Sequence, residues 1–521
     1  MVAMRRVLLI KSGIENSRST GITPPLGLMY IASYINQHSE YQIKIFDSRL
    51  YKDYLQYIKD LYHNFQPDVI GISALTLEAP RMFQMAELIK SLAKNITVIV
   101  GGPHFTSAPE EVIRNHNIDI GIIGEGEITF AEILEALCGD RTLNTIDGIC
   151  FRNDNELLAP HIKTEQLLLK HTTSNDNHVE ESVGLQVQAL SNPIIRTRER
   201  AYIENLDTLP YPAWDAIELE QYAKRRSMSP VGLRPYMALL TSRGCPYKCT
   251  YCHNIFGKYF RARSVGNVLN EIEILINKYH INDFEIIDDI SNFNRERIKS
   301  ICHGIINNEW HVRLSFPNGV RTDILDEETI LLLKKAGTVQ MSIAVETASQ
   351  RLQRLVKKNL NLDKVKRAID IAANNRIFLT GFFMFGFPTE TESELKATIE
   401  FACKSKLHLA LFFVLHPFKG TEIVKQIEQT GKQLPDIDLK EFDYYIISFN
   451  PSSIENKKFH RLFTWAYLRF YLNPSRIFRI LRDKPLHNDL LLRVITTSLF
   501  FLRSPKPGSR YKKRNFGFYG K

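Results

Sequence analysis

Short apolar runs that alternate with helix-patterned segments constrain this chain more than any other feature. Residues 7–10, 43–46, 68–73, 97–100 and 120–123 read as short, mainly apolar strands, and helical spacing fills 25–37, 80–93 and 129–137 between them. Runs apolar on both faces and joined by helices belong to parallel sheets, which predicts a doubly wound α/β domain over residues 1–140. A second series begins at 237–241. Strands are expected at 283–287, 313–317, 340–345, 378–384 and 409–415, with helices at 265–278, 295–307, 327–336, 362–375 and 392–403. Six such repeats predict a partial (β/α)6 barrel of TIM type, open on one side, over 235–430. Residues 141–234 read as a linker, with a proline-stiffened tether at 203–214 and a polar stretch at 171–181. From 431 the chain turns helical and aromatic, with Phe463, Trp465, Tyr467, Phe470 and Tyr471. A chain of 521 residues exceeds one ordinary core, which agrees with this division.

One short segment carries chemistry. In Ser242-Arg243-Gly244-Cys245-Pro246-Tyr247-Lys248-Cys249-Thr250-Tyr251-Cys252 the cysteines follow a C-x3-C-x2-C spacing, with no fourth thiol. Three thiolates can hold three corners of a [4Fe–4S] cubane and leave the fourth iron open to a substrate or cofactor. A structural zinc site wants four ligands and a second Cys or His pair, which the chain lacks; His253, adjacent to Cys252, would strain a tetrahedron. A disulfide reading needs an oxidising compartment. Cys138, Cys150, Cys302 and Cys403 stand singly and read as inert thiols.

The net charge is +10, with late clustering at Arg503, Lys506, Arg510, Lys512, Lys513 and Arg514. This end reads as a solvated tail, a contact for an acidic electron donor, or a peripheral membrane contact. No aromatic-interleaved basic module points to nucleic acid. Val7 to Ile10 is too short for a signal h-region, and no run reaches the ~18 apolar residues of a membrane span. The nearest, 490–502, is interrupted by Arg493 and reads as an interfacial helix or as packing on the barrel. A cytoplasmic protein, with membrane association left open, is expected.

The stretch 241–264 resembles the radical S-adenosylmethionine (radical SAM) family, whose signature has an aromatic before the last cysteine, as Tyr251 stands here. The resemblance implies a cluster on Cys245, Cys249 and Cys252, with SAM on the open iron. One electron then cleaves SAM to methionine and a 5′-deoxyadenosyl radical that abstracts hydrogen. It also implies SAM contacts at Tyr251, Asp288, Asp289, Arg321, Glu346, Gly386 and Pro388. Residues 1–140 resemble the cobalamin (B12) binding domain. Ser73-Ala74-Leu75 matches its S-x-L motif and Gly101-Gly102 its G-G motif, while D-x-H-x-x-G is absent: residues 11–23 hold no His. Asp176-Asn177-His178 lacks the glycine. Ser73, Leu75, Gly101, Gly102 and His104 are the implied cobalamin contacts, with no protein His beneath the cobalt; a His in a strand-end turn such as His104 is more often a hydrogen-bonding residue. Gly124-Glu125-Gly126-Glu127 and Pro24-Pro25-Leu26-Gly27-Leu28 strengthen the likeness.

The pairing implies a cobalamin-dependent radical SAM methyltransferase acting on an unactivated carbon of a small-molecule or lipid substrate. A flavodoxin- or ferredoxin-type electron donor is the expected partner. A radical oxidation or ring closure, like that of the anaerobic cyclase of bacteriochlorophyll synthesis, and a non-catalytic cobalamin or iron–sulfur sensor are the alternatives. The lack of cysteines beyond the barrel leaves no ligands for a second cluster, which argues against the methylthiolating branch.

Overall fold

The computed structural model describes residues 6–14, 21–38, 40–155, 157–161, 194–253, 255–434, 447 and 449–489. The polar stretch 171–181 and the apolar run 490–502 lie outside the described residues.

The first sheet contains β1 (Arg6–Lys11), β2 (Gln42–Asp47), β3 (Val69–Ser73), β4 (Thr97–Gly101), β5 (Ile120–Ile122), β6 (Ile149–Arg152) and β7 (Ile194–Arg196), in the order β2-β1-β3-β4-β5-β6-β7. Strands β1 to β5 are parallel. They are wound by α1 (Leu26–His38), α2 (Tyr54–Phe65), α3 (Ala79–Leu92), the short α4 (Pro103–Ser107) and α5 (Pro109–Val112), and α6 (Glu127–Cys138). Leu8 and Ile10 pack on one face of β1, Val7 and Leu9 on the other. Burial on both faces is why β1, β3 and β4 read as apolar runs. The linker expectation for 141–234 is corrected in part: β6 and β7 extend the sheet antiparallel. Antiparallel strands need no crossover helix, so they lack the alternation that marks the others.

After α7 (Leu219–Ala223) comes the barrel. Its strands are β8 (Met237–Leu239), β11 (Asp283–Ile286), β12 (Arg313–Val320), β13 (Thr338–Glu346), β14 (Phe378–Phe385) and β15 (Leu409–Val414), all parallel, in the order β15-β14-β13-β12-β11-β8. Among the described residues β8 and β15 do not pair, so the barrel is open there. A two-residue ribbon, β9 (Ser242–Arg243) with β10 (Arg261–Ala262), frames the cysteine loop. The outer helices are α8 (Val265–Tyr279), α9 (Arg295–Asn307), α10 (Glu327–Lys335), α11 (Gln350–Leu355), α12 (Leu362–Asn374) and α13 (Glu392–Lys404). Asn294, Asp326, Asn361 and Thr391 cap the starts of α9, α10, α12 and α13, each side chain accepting a first-turn N–H.

Beyond α14 (Glu422–Glu428), α15 (Asn456–Tyr471) and α16 (Pro474–Asp483) close the open edge. The Tyr467 hydroxyl bridges the N–H and C=O of Phe412, and that of Tyr471 the same groups of Ala410. These tyrosines satisfy backbone that an edge strand would otherwise leave unpaired. The barrel core takes in Leu26, Met29 and Tyr30 of α1 and Leu206, Leu209 and Trp214 of the tether. No described helix is long and apolar enough to cross a membrane.

Candidate functional site

The cysteine loop leaves β9 at the carboxyl end of the barrel, where barrel chemistry sits. Gly244 turns it at φ +81, and a Cβ there would overlap the Tyr259 carbonyl oxygen. Only glycine tolerates that turn. The Gly244 N–H donates to Asp289 at 2.9 Å and the Cys245 N–H to the Gly257 carbonyl at 3.3 Å. Further along, the Thr250 N–H donates to the Val356 carbonyl at 3.1 Å and the Ile423 N–H to the Thr250 carbonyl at 2.9 Å. The loop is therefore tied to the rim on both sides.

Cys252 shares its proton with Cys249. That hydrogen bond draws Cys249 down to about 6 and pushes Cys252 up, while burial raises Cys245. A thiolate is thus available near neutrality, as iron requires. Among the described residues no three His, Cys, Asp or Glu side chains converge as ligands of one metal ion. A zinc site would need that convergence; a cubane spreads its three ligands over three irons. The donor set fits the cluster. His253 packs against Phe418 instead, ring centroids 5.9 Å apart. Burial lifts Cys150 and Cys302 to about 11 and about 12, which makes them inert.

Around this loop the strand ends supply polar groups. Glu346 ends β13 at φ +64, buried, with its Oε1 receiving Lys358 at 3.0 Å and the Tyr251 hydroxyl at 3.3 Å. Arg321 follows β12, pairs with Asp323 at 3.0 Å and lies 3.7 Å over the Tyr247 ring. Gly386, at φ +90, donates its N–H to the buried Glu390 at 2.6 Å; Pro388 follows in the same turn. The two adjacent aspartates part company. Asp288 is buried, accepting from the Thr241 N–H, the Thr241 hydroxyl and the Ser242 hydroxyl at 2.6 Å each. Both its oxygens are engaged in anchoring the end of β8. Asp289 is exposed and uses one oxygen on Gly244. Lys358 is a site residue that sequence reasoning missed; it sits in an unpatterned turn and reaches Glu346 only through the fold.

On the first sheet, Ser73 and Gly101 end β3 and β4, side by side in register. A Cβ at Gly102 (φ +90) would lie 2.9 Å from the Ser73 Oγ and 3.1 Å from the Ala74 carbonyl, so this crevice admits backbone only. Gly124, at φ +81, has open space where a Cβ would point. Leu75 is 47% exposed at the same end, an apolar ledge beside the crevice. Its N–H donates to Glu78, which also pairs with the part-buried Lys11. His104 lies in the first turn of α4, its Nδ1 buried with no partner, and burial pushes its imidazole down to about 4. A glycine cradle, an apolar ledge and an orphaned acceptor fit a bulky amide-fringed corrin.

A clamp joins the two halves. Arg243, two residues before Cys245, reaches Glu125 at 2.7 Å and Glu127 at 2.6 Å, and Arg261 reaches both Glu125 oxygens at 3.0 Å. All four side chains are at least nine-tenths buried. Arg243 and Arg261 frame the cysteine loop; Glu125 and Glu127 flank the glycines that follow β5. The signal for it was the doubled Gly-Glu after a strand and an arginine before the first cysteine.

Two protein-family models match the chain: the Radical SAM superfamily over residues 239–402 and the B12 binding domain over residues 16–134. An uncharacterized methyltransferase of Pyrococcus horikoshii is 27% identical across 94% of this chain and 97% of its own length. Cytidylyl-2-hydroxyethylphosphonate methyltransferase of Streptomyces wedmorensis is 28% identical across 81% of each chain. The structure of the radical SAM methyltransferase TsrM of Kitasatospora setae, with cobalamin and a [4Fe–4S] cluster bound, aligns with a TM-score of 0.62 at 16% identity, over 83% of this chain and 76% of that one. At that identity the likeness is one of fold.

Proposed function

We propose that the chain is a radical SAM enzyme with a B12-binding domain, which uses a [4Fe–4S] cluster, SAM and cobalamin to methylate an unactivated carbon of a small-molecule or lipid substrate. One observation carries this reading. The Glu125–Glu127–Arg243–Arg261 clamp ties the glycine-lined strand ends of the first sheet to the cysteine loop, which makes the two cofactor sites neighbours. The full-length similarity to proteins named methyltransferases supports it.

When bound, the cluster supplies the electron that splits SAM and the corrin carries the methyl group. The remaining work is done by side chains. Cys245, Cys249 and Cys252 hold three irons. Glu346 accepts hydrogen bonds from the SAM ammonium or ribose, a charge-assisted contact, with Lys358 and Tyr251 fixing its direction. Asp289 and Arg321 stand at the rim, and the Gly386–Pro388 turn lets an adenine reach backbone. Ser73, Gly101 and Gly102 admit the corrin tail, Leu75 supports its apolar face, and the neutral His104 accepts a hydrogen bond through Nδ1. A flavodoxin- or ferredoxin-type protein delivers the electron.

The test uses anaerobically reconstituted full-length protein, SAM with a deuterated methyl group, and cell extract as the source of acceptors. S-adenosylhomocysteine and a product in which CD3 has replaced one hydrogen of the acceptor are expected. 5′-Deoxyadenosine without either overturns methylation, and product mass then reports oxygen gain or hydrogen loss. Cys249→Ala should abolish SAM cleavage and keep cobalamin, which a sensor would not require.

A further inference from the structure

The positive charge of this chain belongs to its end and not to its body. Residues 456–521 hold 16 of the 67 Lys and Arg but two of the 57 Asp and Glu, a net +14, which leaves −4 on residues 1–455. Those two acids, Asp483 and Asp489, are buried and paired, Asp483 with His408 and Arg482 and Asp489 with Lys484. The charge that α15 and α16 present to solvent is therefore cationic.

The same helices expose apolar surface. Trp465 and Leu468 of α15, Leu472 at its C-cap, and Ile477, Phe478 and Leu481 of α16 face solvent, Leu472 at 72% and Phe478 at 65% exposure. The spacing of Trp465, Leu468 and Leu472 puts them on one stripe of α15, and Arg461 and Arg469 fall along it. Arg469 stacks 4.8 Å from the Trp465 ring. The opposite stripe, Phe459, Leu462, Ala466 and Phe470, is buried on the barrel. So α15 is anchored by one apolar face and offers a second, cation-bordered one. An acidic protein would use the cations and leave six apolar side chains wet. A second copy would bring another +14 against this one. An anionic bilayer satisfies both, the apolar ridge at the acyl boundary and the cations among headgroups.

We propose that α15 and α16 dock this protein on an anionic membrane surface. The docking face is independent of the reaction assigned above.

Full-length protein is floated with phosphatidylcholine vesicles and with vesicles that also contain phosphatidylglycerol. It should float with the anionic vesicles alone, less so as salt is added. Arg461→Gln and Arg469→Gln should each lower partitioning roughly fivefold. Leu472→Glu with Phe478→Glu should abolish flotation, its circular dichroism spectrum unchanged because both sites are exposed. Brominated lipid should quench tryptophan emission in the parent and not in Trp465→Phe. No flotation of the parent overturns the proposal, as does flotation of these variants equal to the parent's, since the basic end alone would then suffice. If the parent stays down and the variants instead lose an acidic flavodoxin or fall from dimer to monomer in light scattering, the face serves a protein and the lipid assignment fails.

Discussion

Glu346 is held at φ +64 inside the barrel mouth. A non-glycine residue in that conformation costs about 1–3 kcal/mol, and such strain persists where surroundings over-determine it. Here they are Lys358 and Tyr251 on one carboxylate oxygen and a register shift between β13 and β14 at this position. The strain aims the carboxylate. Glu346→Gln keeps the shape and removes the charge, so SAM binding to the reconstituted protein should weaken roughly ten- to hundredfold by equilibrium dialysis, with iron and sulfide contents unchanged. Glu390 makes a separate pH prediction. Burial lifts its carboxyl from 4.5 to about 8, although the Gly386 and Phe387 N–H groups pull it down. With the folded value above the unfolded one, the folded state binds the extra proton. Its stabilisation is full below 4.5 and is lost as pH rises toward about 8. The melting temperature should fall across that window, and Glu390→Gln should flatten the slope in thermal melts.

Elements are joined here by buried charge, and that is where their coupling can be measured. Replacing one partner of a buried pair leaves its mate uncompensated, at about 3–5 kcal/mol. Glu127→Gln should therefore lower the urea midpoint of the holoprotein. If the clamp sets the spacing between cofactors, the same variant should keep its iron and cobalamin yet release 5′-deoxyadenosine with little methylated product. A merely structural clamp would lower both products together. The pieces of this arrangement were unequally legible. Strands such as β1, β3 and β4 announced themselves because both their faces are buried, and the helices because Val268, Ile272 and Leu275 repeat with helical period. The β9–β10 ribbon, with two residues per strand, and α11, with six residues, are too short to carry a period. Asp288 and Asp289 are adjacent acids in the sequence; which one turns inward is decided by donors at Thr241 and Ser242, 47 and 46 positions away. Still larger separations, 107 and 118 positions, hid Lys358 from Tyr251 and Arg243 from Glu125.

At the scale of the whole molecule, the two domains share one apolar core. Leu26, Met29 and Tyr30 of the first domain, with Leu206, Leu209 and Trp214 of the tether, sit in the same core as Val268, Ile272 and Leu275 of α8. The Ala213 N–H donates to the Met29 carbonyl at 3.1 Å, and the Tyr211 hydroxyl to that of Asn267 at 3.1 Å, so the tether is stitched to both sides. Inter-domain surfaces that are small and polar let domains move and melt separately. A continuous apolar core with buried arginine–carboxylate pairs does the opposite, because unfolding either side exposes the face of the other. Calorimetry of the holoprotein should therefore show one endotherm. Two resolved transitions would mean that the tether core contributes little and that the cofactor sites are free to separate. Residues 1–234 expressed alone should bind a hydrophobic dye strongly, since the faces of Leu26, Met29, Leu206 and Trp214 lose their cover. A fragment that melts cooperatively and ignores the dye would show that the first domain completes its own core, and the spacing between cofactors would then rest on the charged clamp alone.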